Sequence, residues 1–271
     1  MAIRVGIAGW RYKAWRGDFY PAGLAQRREL EHASRQLTAI EINGSFYSLQ
    51  RPSSYASWRA ETPDDFVFAV KGPRFVTHLK RLVGVETPLA NFFASGVLAL
   101  GPKLGPVLWQ TPENLRFDPD VLDAFLSLLP RTTTAAAELA QHHDDKVKEG
   151  RRLTETEADA PIRYALEFRS TTFATEECYA MLRRQGVACV LADTAGRWPK
   201  VEEVTADHAY VRLHGDKELY TSGYTDESLR EWATKCRAWD ADGLDVHVFF
   251  DNDVKGYAPH DAMRLIDLIG R

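Results

Sequence analysis

The sequence lacks most of the features that would place it in a specialised class of protein. Its 271 residues include three cysteines, Cys178, Cys189 and Cys236, without a CxxC pair, so neither a disulfide framework nor a thiolate zinc site is indicated. No apolar run approaches the ~20 residues of a membrane-spanning helix, and the amino terminus does not have the pattern of a signal peptide. These absences predict a cytoplasmic protein with no membrane partner.

The common nucleotide-binding and hydrolase motifs are also missing. The chain has no Walker A sequence, no GxGxxG after a strand, no HExxH and no GxSxG. Its 34 basic and 38 acidic residues give a net charge of −4, which argues against broad attraction to nucleic acid or anionic lipid. With 45% hydrophobic and 27% charged residues, the composition is that of an ordinary globular protein.

Short apolar runs rich in β-branched residues recur along the whole chain. They are Ile3–Ala8, Thr38–Asn43, Phe66–Lys71, Pro106–Thr111, Arg163–Arg169, Val187–Asp193, His208–His214 and Asp245–Asn252. Segments with helical spacing lie between most of them, at Leu24–Leu37, Val121–Leu129, Glu176–Gln185, Asp226–Trp239 and Asp261–Ile269. This alternation predicts an α/β fold, a (β/α)8 TIM-type barrel formed as one domain by residues 1–271.

One segment does not fit the alternation. Residues 131–160 are rich in alanine, threonine and charge and have almost no large apolar side chain. We interpret them as an exposed polar insertion between the fourth and fifth strands.

Polar side chains close the predicted inner face of seven strands. Because residues two apart share a face, each inner set can be followed to its last members. The polar members are Glu41, Asn43, Lys71, Gln110, Glu167, Arg169, Asp193, Arg212, His214 and Asn252. In (β/α)8 enzymes the carboxyl ends of the strands form the active site, so we expect these groups to gather at one water-accessible rim.

This ring contains the types of group that acid–base catalysis and anion binding require. We predict Glu41, Glu167, Asp193 and His214 as catalytic residues, and the remaining members as substrate-binding residues. The alternative is an ion network that only closes the barrel, since three acidic and three basic side chains can neutralise one another.

Three loops that follow strands add further candidates for substrate binding. Aromatic residues in the first two loops could stack on a sugar or nucleobase, and Trp10 and Tyr47 lie nearest the strand ends. The third loop carries Lys71, Arg74 and His78, which indicates an anionic small molecule, although a solvated basic face is an equal alternative. Nucleic acid is a second partner that this loop could bind.

The same ring could hold a divalent metal as a cofactor. Glu41, Glu167, Asp193 and His214 offer ligands suited to magnesium, manganese or zinc if their tips converge. The three basic residues of the ring would compete for those carboxylates. The pattern therefore leaves the cofactor undetermined, and the sequence does not specify an oligomeric state.

Seven segments, taken in order, carry a resemblance to a known family. They are GWRYKAWRGDFYP, EINGSFY, FVFAVKGPRFVTH, LGPVLWQTP, LEFR, YVRLHG and FFDNDVKGYAPHDA. Together they resemble the YecE-like family, domain of unknown function 72, over nearly the full chain. The resemblance implies a TIM barrel but no defined activity. Gly44-Ser45 departs from the family pattern, and LEFRSTTF lacks the His and Trp often seen there, so no role is transferred to residues just after Arg169.

Three functional hypotheses follow from these residues. The first is an enzyme that hydrolyses a phosphoester in an anionic, ring-containing substrate or nucleic-acid fragment, with Lys71, Arg169 and Arg212 neutralising charge. The second is a metal-free glycosidase or isomerase that uses two carboxylates. The third is a non-catalytic module that binds an anion or single-stranded nucleic acid.

Overall fold

The computed structural model describes residues 2–270 and contains one closed barrel of eight parallel strands. The strands are β1 Ile3–Ala8, β2 Ala39–Ile42, β3 Val67–Lys71, β4 Leu104–Gln110, β5 Tyr164–Glu167, β6 Val187–Asp193, β7 His208–Leu213 and β8 Asp245–Phe250. Each strand pairs with the next in chain order, and β8 closes the barrel on β1. The predicted TIM-type barrel is confirmed.

Helices follow the strands around the outside of this barrel. They are α1 Glu29–Gln36, α2 Gly44–Tyr47, α3 Pro52–Glu61, α4 Glu86–Ala94, α5 Pro119–Ser127, α6 Thr133–Ala140, α7 Glu176–Gln185, α8 Asp226–Ala241 and α9 Tyr257–Ile269. Local chemistry sets several of their ends. The Thr175 hydroxyl accepts a hydrogen bond from the Cys178 amide at the start of α7, and Gly186 ends that helix in the left-handed conformation.

The two faces of the strands differ in the size of their side chains. Large apolar residues such as Ile40, Phe68 and Trp109 point outward and form the main core under the helices. Small residues such as Ala39 and Ala69 dominate the separate inner cluster. Because the inner wall is built from small side chains, the longer polar groups at the carboxyl ends of the strands have room to meet across the barrel.

The predicted facing of strands 6 and 8 is wrong by one residue. On β6 the inner residues are Ala188, Val190 and Ala192, which places Asp193 on the outer face. On β8 the inner cluster contains Phe249, so Asp251 rather than Asn252 continues the inner face. Side chains alternate with period two, and a shift of one residue therefore exchanges the two faces completely.

The insertion lies between β4 and β5, as expected, and its first part is ordered by packing. Helix α6 lies against α4 and buries Ala136 and Ala140, while most of residues 141–160 are exposed. A bridge between Thr132 and Pro161 joins the two ends of the segment.

Helix α9 begins four residues earlier than its periodicity suggested. Its N-cap is Gly256, in the left-handed conformation with φ of 82°. Asp261, the first residue of the predicted segment, is buried inside the helix and accepts hydrogen bonds from Asn252 Nδ2 and the Tyr224 amide.

Candidate functional site

Arg212 stands at the centre of a buried charged cluster at the carboxyl end of the barrel. Its Nε and Nη2 donate to both oxygens of Glu41, at 3.0 and 2.8 Å, in a bidentate pair. Its Nη1 donates to Glu167 at 2.7 Å and its Nη2 donates to Asp251 at 2.9 Å. Tyr210 donates its hydroxyl proton to Glu41 at 2.7 Å. Carboxylates from β2, from β5 and from the position directly after β8 therefore meet on one guanidinium, which β7 carries.

The centre of this cluster is sealed from solvent. The side chains of Arg212, Glu41 and His214 are fully buried, and that of Glu167 is 1% exposed. Burial alone would raise the pKa of Glu167, but the guanidinium groups of Arg212 and Arg169 hold it well below its usual range. The expectation of one wet rim is therefore corrected: these predicted members form a closed layer beneath it.

Asp251 is the member of the cluster that the sequence prediction missed. Its side chain retains 14% exposure. Burial raises the pKa of this carboxyl, but Arg212 and the neighbouring His214 outweigh burial and lower the pKa to about 2. His214 Nδ1 lies 3.1 Å from Asp251 Oδ2, although the ring is not aligned for a hydrogen bond. Counting the inner face of β8 from Phe249 would have identified Asp251.

Arg169 links the sealed layer to the rim. Its Nε donates to Glu167 at 3.2 Å, and its Nη2 donates to the Tyr220 hydroxyl at 3.2 Å. The guanidinium also stacks on the ring of Trp198, with 3.6 Å between Cζ and the ring centroid. The side chain is 17% exposed, so this cation can reach a bound molecule.

Lys71 is a buried cation without a salt-bridge partner in the described part of the chain. Among residues 2–270 no carboxylate lies within salt-bridge distance of its Nζ, and the ammonium instead lies 4.4 Å from the centroid of the Phe46 ring. The residue is 7% exposed. Burial and the nearby Arg212 lower its pKa to about 8, so the side chain is mainly protonated at neutral pH. This arrangement leaves a positive charge at the rim that an anion can neutralise.

His78 lies beside Lys71 on the third loop. Its ring packs edge-on against Phe46 at a centroid distance of 5.2 Å, and its Nδ1 is 2.8 Å from the Thr77 hydroxyl. Burial and the charges of Arg169 and Lys71 lower its pKa to about 4. The imidazole is therefore neutral at physiological pH and can hydrogen-bond a ligand without adding charge.

The aromatic residues of the first loop are part of the main core. Trp15, Phe19 and Tyr20 are buried against one another. Trp10 is 6% exposed and packs edge-on against Trp58, although it also lines a cavity of about 310 Å³ together with Asn43. Tyr47 differs from all of these because it is 71% exposed.

The remaining predicted residues lie at varying distances from the cluster. Asn252 donates to Asp261 and to the Ser222 carbonyl, so it points into the helical layer. Asp193 pairs with Lys200 at 3.5 Å outside the barrel. Gln110 is buried at the end of β4 in register with Glu167. Asn43 Oδ1 is buried without a hydrogen-bond partner among the residues described.

The residues considered as metal ligands do not form a metal site. Glu41 and Glu167 are bound to Arg212, and Asp193 faces the other way. Between residues 2 and 270, no three His, Cys, Asp or Glu side chains are placed to hold a metal ion. The donor set present thus fits a guanidinium rather than a divalent cation.

Fold and site together define a (β/α)8 barrel protein with a charged cluster at the carboxyl end of its strands. The family model described as "Protein of unknown function DUF72" matches residues 4–271, and the chain belongs to that family. It is 24% identical to the UPF0759 protein YunF of Bacillus subtilis, over 98% of this chain and 94% of YunF. It is 30% identical to the UPF0759 protein YecE of Escherichia coli K12, over 47% of this chain and 44% of YecE.

Solved structures of the same family show the same fold. A DUF72 family protein from Thermotoga maritima superposes with a TM-score of 0.76 at 23% identity, with all of both chains covered. One from Enterococcus faecalis also gives 0.76, at 14% identity over 99% of this chain and 96% of the other. Within residues 2–270, no helix is both long enough and apolar enough to cross a membrane.

Proposed function

We propose that this protein is an enzyme that binds an anionic, ring-containing small molecule at the carboxyl end of the barrel and hydrolyses a phosphoester in it. The observation that carries the proposal is the Lys71 ammonium, which is buried at the rim with no carboxylate partner. Burying an unpaired charge destabilises the folded protein, and a bound anion would remove that cost.

Lys71 and Arg169 are the groups that would bind the phosphoryl oxygens. Phosphoryl transfer requires little covalent chemistry from a protein, because its rate depends mainly on positioning and on neutralising the equatorial oxygens. Arg169 is held by Glu167, Tyr220 and Trp198, so its guanidinium is oriented before a ligand arrives. Lys71 adds a second charge at the same rim.

Asp251 is the carboxylate best placed to orient the attacking water. It is the most exposed of the three carboxylates bound to Arg212, and its low pKa keeps it ionised across the physiological range. In this arrangement Glu41 and Glu167 hold Arg212, rather than acting as the general bases or metal ligands that the sequence suggested.

The geometry gives less support to carboxylate-based glycoside cleavage. That chemistry needs two carboxyl groups facing a shared space that the sugar can enter. Here the Arg212 guanidinium lies between Glu41 and Glu167, and all three side chains are sealed.

A panel of phosphomonoesters and phosphodiesters, assayed for release of phosphate or alcohol with and without Mg²⁺, Mn²⁺ or Zn²⁺, tests the proposal. We expect turnover of an anionic, ring-containing ester that falls at least about 100-fold in Lys71→Met. Lys200→Met removes a surface lysine paired with Asp193 and should keep full activity. Absence of hydrolysis across the panel would overturn the proposal.

A further inference from the structure

A groove runs along the third loop on the side of the rim where Lys71 lies. Its volume is about 460 Å³, and its apolar walls include Phe46, Tyr47, Phe75 and Leu79. Tyr47 is 71% exposed and Leu79 is 61% exposed. Large apolar side chains that are exposed together in one concave surface often mark a binding site.

The charges on the groove are all of one sign. Arg74 and Lys146 lie on its walls, and none of its lining residues is acidic. Lys146 places its Nζ 4.7 Å from the centroid of the Phe75 ring. A groove of this composition favours an occupant that combines apolar surface with negative charge.

Phe46 joins this groove to the proposed anion site. The residue lines the groove, and the same ring lies 4.4 Å from Lys71 Nζ and packs against His78. The groove and Lys71 Nζ therefore share one aromatic ring, and this shared ring is the reason to expect that a molecule bound in the groove directs an attached anionic group toward Lys71.

The wall of the groove has an unusual backbone. Residues Phe75–Leu79 form a single π-helical turn, and Arg81 and Leu82 follow with φ of 53° and 70°. Single π-helical turns and non-glycine residues in the left-handed region occur often at functional sites, where surrounding contacts hold the strain. The loop is therefore built with a fixed shape that presents Leu79 to solvent.

The cavity beside Trp10 is a poorer ring site. It is smaller, at about 310 Å³, and Arg11, Asn43 and Gln50 make its lining more polar. The edge of the Trp58 ring already packs against Trp10. The third-loop groove therefore has the apolar surface that a planar ring would cover.

We propose that the third-loop groove, formed by Phe46, Tyr47, Phe75 and Leu79, binds the aromatic ring of an aryl phosphate whose phosphate group lies at Lys71 and Arg169. This inference rests on the proposed function, and it adds the substrate class. The ring stacks or packs in the groove, Arg74 and Lys146 favour the anion as it approaches, and Lys71 pairs with the phosphate.

Calorimetric titration of the full chain at pH 7 with phenyl phosphate, cyclohexyl phosphate and inorganic phosphate tests this site. We expect phenyl phosphate to bind about tenfold or more tightly than inorganic phosphate, with cyclohexyl phosphate between them. Leu79→Asp should remove that advantage and leave the affinity for inorganic phosphate within about threefold of the original. Val83→Asp is the matched control, since Val83 is 58% exposed on the same loop but outside the groove, and it should bind like the original protein.

Equal affinities for phenyl phosphate and inorganic phosphate, or equal losses in Leu79→Asp and Val83→Asp, would overturn the ring site. If inorganic phosphate still binds and Lys71→Met abolishes that binding, the anion site of the proposed function survives on its own. If none of the three anions binds, both the ring site and the anion site are wrong. Tyr47→Ala provides a second groove variant if Leu79→Asp fails to fold, because Tyr47 is mostly exposed and its removal leaves the core intact.

Discussion

Arg212 and Lys71 lie at the same end of the barrel but in opposite electrostatic situations. Arg212 is fully buried and contacts three carboxylates, those of Glu41, Glu167 and Asp251. Lys71 is close to the surface and contacts an aromatic ring. The first cation is paired with carboxylates of the protein itself, whereas the second is buried with no carboxylate of the described chain within salt-bridge distance.

The contrast divides the polar ends of the strands into two layers. A self-neutralising network closes the inside of the barrel. The alternative of an ion network that only closes the barrel predicted this for the whole ring. Lys71 lies outside this network, buried without a salt-bridge partner among the described residues, and Arg169, which pairs with Glu167, keeps 17% exposure. The proposed function rests on these two residues, and substitutions in the two layers should behave differently.

The largest difference is expected in stability. Arg212→Met leaves three carboxylates buried without their cation, and it should lower the free energy of unfolding by about 3–5 kcal/mol. Lys71→Met removes a buried charge for which desolvation and Arg212 outweigh the attraction of the nearby carboxylates, so we expect stability to stay the same or rise by up to about 3 kcal/mol. Urea unfolding of the two variants gives both values. Similar losses in the two variants would show that Lys71 is also structurally paired.

A smaller effect is expected at the amino-terminal end of the barrel, where His247 is buried and, like Lys71, has no salt-bridge partner among the described residues. Both ring nitrogens lack hydrogen-bond partners in the described chain, and burial with the nearby His208 and Arg163 lowers the pKa to about 3. In the unfolded chain His247 takes up a proton near pH 6.5. Above that pH the ring is neutral in both states, and its contribution to the free energy of unfolding is at its full value. It should decline by about 1.4 kcal/mol per unit as the pH falls toward 3.

Denaturant unfolding between pH 7.5 and 5 measures this slope. His247→Leu should flatten it, whereas His142→Ala, at an exposed position, should not. His78, with its own lowered pKa of about 4, accounts for part of the slope that persists in His247→Leu. An unchanged profile in His247→Leu would mean that this histidine gains a proton in the folded protein as readily as in the unfolded one.

The next effect concerns the pH dependence of anion binding. Lys71 is protonated below about pH 8, so affinity for inorganic phosphate should be highest near neutrality and should fall as the pH rises through 8. We expect a loss of about tenfold between pH 7 and pH 9, measured by titration calorimetry. Lys71→Arg should keep its affinity over this range because a guanidinium does not lose its proton there. A flat profile for the unaltered protein would show that Lys71 does not contact the anion.

The smallest effects should occur in single contacts around the two layers. Tyr210→Phe removes one buried hydrogen bond to Glu41 and should cost about 1 kcal/mol of stability. Lys200→Met breaks the exposed pair with Asp193 and should change stability by less than about 0.5 kcal/mol. Thermal melting of both variants would test this ranking, which a larger loss in Lys200→Met would reverse.

The sequence predicted the strands well because each forms a distinct apolar run, whereas helices α2, α3, α4 and α6 were not predicted. All eight predicted strands are present, with ends shifted by at most two residues, and α7 has the predicted bounds. The facing of β6 and β8 was predicted incorrectly because both faces of a barrel strand are buried and apolar. The alanines of the inner wall were a usable signal, since Ala188 and Ala192 lie on the opposite face from Asp193.

The pairing within the site was beyond sequence reasoning for a different reason. Charge types and strand ends indicated which groups would meet, and Glu41, Glu167, Arg169, Arg212 and His214 do meet. Their partners depend on side-chain length and rotamer across the barrel, which residue spacing along a strand does not encode. Arg212 therefore reaches Glu41, Glu167 and Asp251 together, while Lys71 reaches none of them.

The Arg212 cluster also ties together parts of the chain that are far apart in sequence, because Glu41 and Arg212 are separated by 171 residues. A partly assembled barrel that lacks Glu41 or Arg212 would bury the remaining charged groups without their ion-pair partner. Stable fragments and long-lived partly closed intermediates should consequently be scarce. We therefore expect the barrel to close cooperatively, because Glu41 on β2 gains its ion pair only when β7, which carries Arg212, is in place.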